Sequence, residues 1–218
     1  MNKNDYIIRL ETEDDYREVE NLAREAFWNL SVPGCYEHYF IHVMRSHEAF
    51  IRELDFVLEA DGKIIGNIMY TKAKLIDENG TEKPILTMRP ICIHPDYQRK
   101  GYGKALLEYT FEKAMELGYD TIINLGNPSN YVARGYKSCK KYNVCFEGDI
   151  FPAPLLVKVL TDNALDGRKW FYHPSNADEP CGDTAAVAEF DKLFPPKKKA
   201  WQPSQEEFYI HSHSVINC

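Results

Sequence analysis

The chain has 218 residues, of which 44% are hydrophobic, and a formal net charge of −7. That length buries one full core with room for an appendage, and the acidic balance argues against a nucleic-acid surface and favours neutral or cationic partners, an amine among them. There is no apolar run long enough to cross a membrane and no signal peptide at Met1-Asn2-Lys3-Asn4; Cys35, Cys92, Cys139, Cys145, Cys181 and Cys218 show neither C-x-x-C pairing nor a histidine register for zinc, which reads as a cytoplasmic protein with reduced thiols and no metal.

Tyr6-Ile7-Ile8-Arg9-Leu10 reads as a short strand, and Thr12 with Asp15 three residues on marks a capped helix start. Tyr16, Val19, Leu22, Ala23, Ala26 and Phe27 then share one helical face. Val32-Pro33-Gly34 breaks the chain within 29–34, and Tyr36 to Arg45 reads as a second helix. Two β-rich runs, Asp55 to Ala60 and Lys63 to Ile76, meet at Asp61-Gly62, a pair favoured in tight hairpins. Asp77-Glu78-Asn79-Gly80 turns the chain again. Pro84 to Ile93 returns as a strand and stops at His94-Pro95-Asp96, because proline cannot donate to a ladder.

A helix is expected from Gly103: Gly103, Leu107, Phe111, Ala114 and Gly118 fall on one face and Glu108, Glu112 and Glu116 on the other. Gly118 stands where a left-handed cap belongs. Strand, glycine-bearing turn and helix together make an anion site, since the leading N–H groups lack intrahelical partners and the dipole places roughly half a positive charge there. Gly101 and Gly103 let a diphosphate approach the main chain, and Arg99, Lys100 and Lys104 add charge. A P-loop is excluded because Ala105 follows Lys104, and the dinucleotide fingerprint wants a small residue where Leu106 stands.

Thr121 to Leu125 reads as a buried strand parallel to the one before the helix. Two such strands, parting at their carboxyl ends, leave a crevice for a ligand. A short helix over Tyr131 to Arg134 ends at Gly135-Tyr136, and Leu155 to Leu160 closes a first domain, 1–160, as a strand. Beyond Thr161, Arg168 to Tyr172 suggests one more strand, Pro174 to Gly182 is turn-rich, Phe194 to Lys199 is irregular through its prolines, and Ser204-Gln205-Glu206-Glu207 reads as a capping box opening a last helix. Trp170, Phe171, Phe190, Phe194, Trp201, Phe208 and Tyr209 are too many aromatics for a solvated tail, so 161–218 is expected to be an ordered extension packed on the first domain.

Gln98-Arg99-Lys100-Gly101-Tyr102-Gly103, between Ile93-His94-Pro95 and a helix, resembles the Gln/Arg-x-x-Gly-x-Gly/Ala pyrophosphate loop of the GNAT superfamily of N-acetyltransferases. Tyr131-x-x-x-Gly135-Tyr136 is similar to that family's second signature, and its flanks, Leu125-Gly126-Asn127-Pro128 and Lys137-Ser138-Cys139-Lys140-Lys141, resemble one bacterial subgroup of predicted acetyltransferases. The resemblance implies an α/β fold with a central twisted mixed sheet flanked by helices. It implies acetyl-CoA as donor, with the diphosphate on Gln98, Arg99, Lys100, Gly101, Tyr102, Gly103 and Lys104, pantetheine along Ile91, Cys92 and Ile93, and Asn127 among the cofactor contacts. The activity implied is acetyl transfer to the primary amine of a small-molecule or peptide acceptor in a ternary complex, with a homodimer as one permitted assembly. A catalytically silent acyl-CoA-binding module acting through a protein partner is the alternative.

Transfer needs a proton for the departing thiolate. A phenol with a reference pKa near ~10 keeps its proton at neutral pH and can give it to a thiolate whose conjugate acid lies near ~8.5, which makes Tyr131 the expected general acid. The base is open among Asp55, Glu59, His94, His38 and His42, or a water relay, because Met88 to Ile93 lacks the acid that the family often carries there. Cys92 is expected to be a small buried hydrophobe and no nucleophile. Arg134, Lys137, Lys140 and Lys141 either meet the ribose phosphate or form a solvated face.

Overall fold

The computed structural model describes residues 6–217, so the expectations for Met1 to Asn4 and for Cys218 lie outside the described residues. It opens with β1 (Ile7–Leu10) and one tight turn over 13–15 that leads into α1 (Tyr16–Phe27). Asp15 accepts from the N–H and the hydroxyl of Thr12, each at 2.8 Å, and from Arg9 at 2.7 Å. That arginine holds its carboxyl below the usual carboxylate range and ties the strand to the helix. Val19, Leu22 and Ala23 are buried on the expected face, against α2 (Glu37–Met44).

The sheet is built on β2 (Phe56–Ala60), β3 (Lys63–Asp77) and β4 (Glu82–Ile93). Asp61 and Gly62 both take positive φ, 52° and 70°, which a two-residue hairpin turn of the right twist demands. After β4 come α3 (Tyr102–Glu116), β5 (Thr121–Leu125), α4 (Pro128–Tyr131), β6 (Lys137–Ser138), β7 (Val144–Cys145), β8 (Leu155–Val159), β9 (Trp170–His173), α5 (Thr184–Asp191) and α6 (Pro203–Ser212). The strand order is β1-β2-β3-β4-β5-β8-β6, with β9 beside the far end of β3 and paired also to β7. Neighbours are antiparallel except β4–β5 and β7–β9, as the helix between β4 and β5 requires.

Helices cover both faces of the sheet. Leu106, Leu107, Phe111 and Ala114 of α3 pack on Phe56, Leu58, Ile68 and Leu86, while α1 and α2 pack on Val57, Ile64 and Met69. Alternation along β2 and β3 sorts these residues between the two layers. Gly118, at φ 86°, ends α3 as expected, with its N–H on Met115 O and that of Tyr119 on Ala114 O. Among the described residues no helix is long and apolar enough to cross a membrane, and Cys35, Cys92, Cys139, Cys145 and Cys181 are free thiols.

The segment after residue 161 differs in detail from the sequence expectation. Its strand, β9, is a member of the sheet, register-paired from Trp170 with Asp77 to His173 with Lys74. A helix the periodicity did not announce, α5, starts at Asp183, whose carboxylate accepts from the N–H groups of Ala185 and Ala186. The last helix begins at Pro203, one residue ahead of the expected cap, and Ser204 Oγ donates instead to Leu30 O at 2.8 Å. Trp170, Phe190 and Phe194 are buried, whereas Trp201, Phe208 and Tyr209 are exposed.

Candidate active site

Pro90 decides where the sheet opens. The His94 N–H donates to Ile65 O at 2.8 Å, so Ile93–Gly66 and Ile91–Ile68 are the pairs that exchange no hydrogen bonds, and Cys92 turns its peptide groups to Asn67. The next residue due to donate to β3 is Pro90, which has no N–H. There the register slips, with Arg89 and Pro90 opposite Met69 alone. β5 pairs with β4 only at Leu86–Ile122 and Thr87–Ile123, before this bulge, and the two strands then part. The peptide groups of Ile91 and Ile93 face the gap.

Between the parted ends lies a cleft of about 540 Å³. Phe27, Tyr36, Glu37 and Phe40 wall it from α1 and α2, Met88 to Ile91 from the bulge, Asn124 to Asn127 with Asn130 and Tyr131 from β5 and α4, and Glu207, Phe208 and His211 from α6. Asn127 caps α4, its Oδ1 accepting from the N–H and the hydroxyl of Ser129. Tyr131, the last residue of α4, packs edge-on against Tyr136 with centroids 5.6 Å apart. Burial pushes its hydroxyl above the ordinary phenol value, and the Asn124 amide pulls part of the way back.

Behind Ile93 the glycine turn leads into α3, with Arg99 and Gly101 both left-handed at φ 61° and 91° and Gly101 immediately before the helix. The leading N–H groups of α3, from Tyr102, Gly103 and Lys104, have no helical acceptor. The Gln98 side chain braces the turn from within, its Nε2 donating to Ile93 O at 3.0 Å, and Lys100 Nζ donates to Asp96 O. Tyr102 packs on Tyr6 and Tyr97, and Lys104 pairs with Glu108 across the exposed helix surface. Cys92 is buried and its thiol is pushed up to about 12, which keeps it protonated. Of the basic run, Lys140 donates to Ile216 O and Lys137 lies over the Tyr142 ring.

None of the five base candidates lines the cleft. Asp55 is buried with Asn67 and Glu11, its carboxyl pushed up to about 9 first by burial and then by Glu11. Glu59 pairs with Arg9, and His94 heads the turn before the glycine loop. His42 bonds to Glu20 at 2.9 Å. His38 is enclosed between Cys35 and Asp191, and burial lowers it to about 4, so it is neutral. Three carboxyls line the cleft, Glu37, Asp178 and Glu207; Asp178 is paired with Arg89, Glu207 lies on the exposed helix α6, and Glu37 is the first residue of α2. Burial pushes it up to about 7, against the opposing pull of its own and the Tyr36 N–H. Its one legible signal was an acid opening the helix that follows the 29–34 break.

A profile of the acetyltransferase (GNAT) family matches residues 15–137, more than half of the chain. The chain belongs to that family. The uncharacterized N-acetyltransferase YhbS of Escherichia coli K12 is 22% identical over 161 residues, covering 74% of this chain and 91% of its own. The crystal structure of E. coli YhbS in complex with CoA superposes with a TM-score of 0.68 at 21% identity, over 80% of this chain and 92% of that one. A GNAT family acetyltransferase from Brucella melitensis in complex with acetyl-CoA gives 0.60 at 19% identity, over 79% and 97%. At these identities the neighbours establish the GNAT fold, a mixed sheet between helical layers.

Proposed function

We propose that the protein moves an acetyl group from acetyl-CoA to a primary amine. The observation that carries this reading is the convergence of three groups on one cleft: the free peptide edge at Ile91, the phenol of Tyr131 and the carboxyl of Glu37. The N–H groups that open α3 suit a diphosphate, with Arg99 and Lys104 alongside. From that turn the N–H of Ile93, whose carbonyl is taken by Gln98, and the peptide groups of Ile91 lead into the cleft, so an extended pantetheine has main-chain partners along the way, and the CoA and acetyl-CoA bound by the two neighbours support this assignment.

Glu37 accepts the ammonium proton of the acceptor, directly or through water. The free amine attacks the thioester carbonyl, the C–N bond forms as the C–S bond breaks, and Tyr131 gives its proton to the sulfur before regaining one from the nitrogen. The raised Tyr131 value keeps the acid protonated, and a carboxyl near 7 is poised to act as base at neutral pH. Tyr131→Phe should lower kcat by about 10²–10⁴-fold with the calorimetric Kd for acetyl-CoA unchanged. Unchanged turnover removes the general-acid role, and acetyl-CoA binding without transfer to any amine returns the silent binding module.

A further inference from the structure

We infer that α6 roofs the acceptor end of this cleft and that the acceptor is a cationic amine on an apolar body with no carboxylate beside the amine; the inference rests on the acetyl-transfer reading. The helix is tied down at both ends across the opening. At its start Ser204 Oγ donates to Leu30 O, and the buried Gln205 donates from Nε2 to Asn29 O and Ala200 O, each at 3.0 Å. Beyond its end Ala153 N–H donates to Ser214 O at 2.9 Å and Ile216 N–H to Phe151 O at 2.8 Å. Leu30 and Pro152, at these two anchor points, are themselves walls of the cleft. Ser204, Glu207, Phe208 and His211 recur at helical spacing on the face turned inward.

The chemistry of the enclosed space follows from its lining. Phe27, Phe40, Met88, Phe146 and Phe208 offer an apolar body its partners. Glu37 and Glu207 bring negative charge. Besides His211, the one cationic side chain among the described cleft residues is Arg89, and Asp178 already holds it at 2.6 Å. An alkylammonium therefore meets carboxylates, while an α-carboxylate meets the same acids with no free guanidinium or ammonium to answer it.

The test uses matched pairs, tryptamine against tryptophan and phenethylamine against phenylalanine, with thiol release from acetyl-CoA followed for the full chain. The amine of each pair should show kcat/KM at least tenfold above its amino acid. Glu207→Lys, on an exposed helix position, should cut that ratio by tenfold or more with the KM for acetyl-CoA unchanged. Equal use of amines and amino acids, or a ratio unmoved by Glu207→Lys, overturns the inference and leaves the transfer reading standing. Thiol release from no pair overturns the transfer reading and the inference with it.

Discussion

Gly126 lies hard against Tyr131: a β-carbon at position 126 would stand 2.7 Å from Tyr131 Cε2 and 2.9 Å from Asn124 Nδ2. Those separations are closer than carbon atoms tolerate, and Tyr136 backs the ring from another side at 5.6 Å. Gly126→Ala must therefore push the phenol from its place without touching the coenzyme loop. We expect kcat to fall by about 10²-fold, the effect of a displacement of roughly 1 Å at the reacting centre, with the Kd for acetyl-CoA within twofold of the wild type. A kcat equal to wild type would show that the ring position carries no weight.

Glu37 gives the pH dependence its sign. A base must be ionised to act, so kcat/KM should rise along an acidic limb centred near 7, and Glu37→Gln should abolish that limb while lowering kcat. The same carboxyl has a cost for the fold. Its folded value of about 7 lies above its ordinary value of 4.5, so between these pH values the folded state keeps a proton that the unfolded chain has lost. Its contribution to stability is present below 4.5 and is lost as pH rises through 7. Glu37→Gln should accordingly gain stability over wild type as pH increases from 5 to 8, measured by urea unfolding. A constant difference across that range would place the titration elsewhere.

Local chemistry made much of the site legible. The glycine turn, the Gly118 cap and the Tyr131-x-x-x-Gly135 spacing are each written in neighbouring residues, and backbone geometry acts at that range. Glu37 was not legible, since its special property is burial beneath segments distant in the chain, with Asp178 and the α6 residues on the same cleft. Asp55, a base candidate, was misleading for the same reason: its carboxyl is raised further than that of Glu37, but by burial in the interior and by Glu11 rather than at the cleft. The α5 helix had a readable cap in Asp183 and only eight residues to follow it, too few for periodicity to speak. For α6, proline at the first helical position was the better start signal than Ser204.

Gln205 tests whether the α6 anchor is structural. Its side-chain amide donates to both Asn29 O and Ala200 O, and it is 8% exposed. Gln205→Ala strands two buried or half-buried carbonyls, which should cost about 1–3 kcal/mol in urea unfolding. It should also raise the acceptor KM and speed proteolysis between 197 and 203, with the KM for acetyl-CoA unmoved. Wild-type values for both would mean that α6 holds its place through its C-terminal ties alone.

One ion pair ties α5 to the first helix of the chain. Arg24 of α1 is 1% exposed, its Nε donates to Asp191 Oδ1 of α5 at 2.6 Å, and its guanidinium lies over the Trp28 ring at 4.4 Å. Asp191 also faces His38 Nε2 at 3.3 Å, and that imidazole, held neutral by burial, is no anion and cannot replace the carboxylate as a partner for Arg24. Removing the carboxylate leaves a buried cation without an anion, and Asp191→Ala should lose about 3–5 kcal/mol of stability. Deleting the cation as well changes the balance: Arg24→Met refills the apolar site between Trp28 and Phe194 and leaves no charge to desolvate. The double variant Arg24→Met/Asp191→Ala should therefore be more stable than Asp191→Ala alone, a non-additivity read from the three urea midpoints. Additive losses would show that α5 is held by Phe190 and Phe194 packing, with the ion pair incidental.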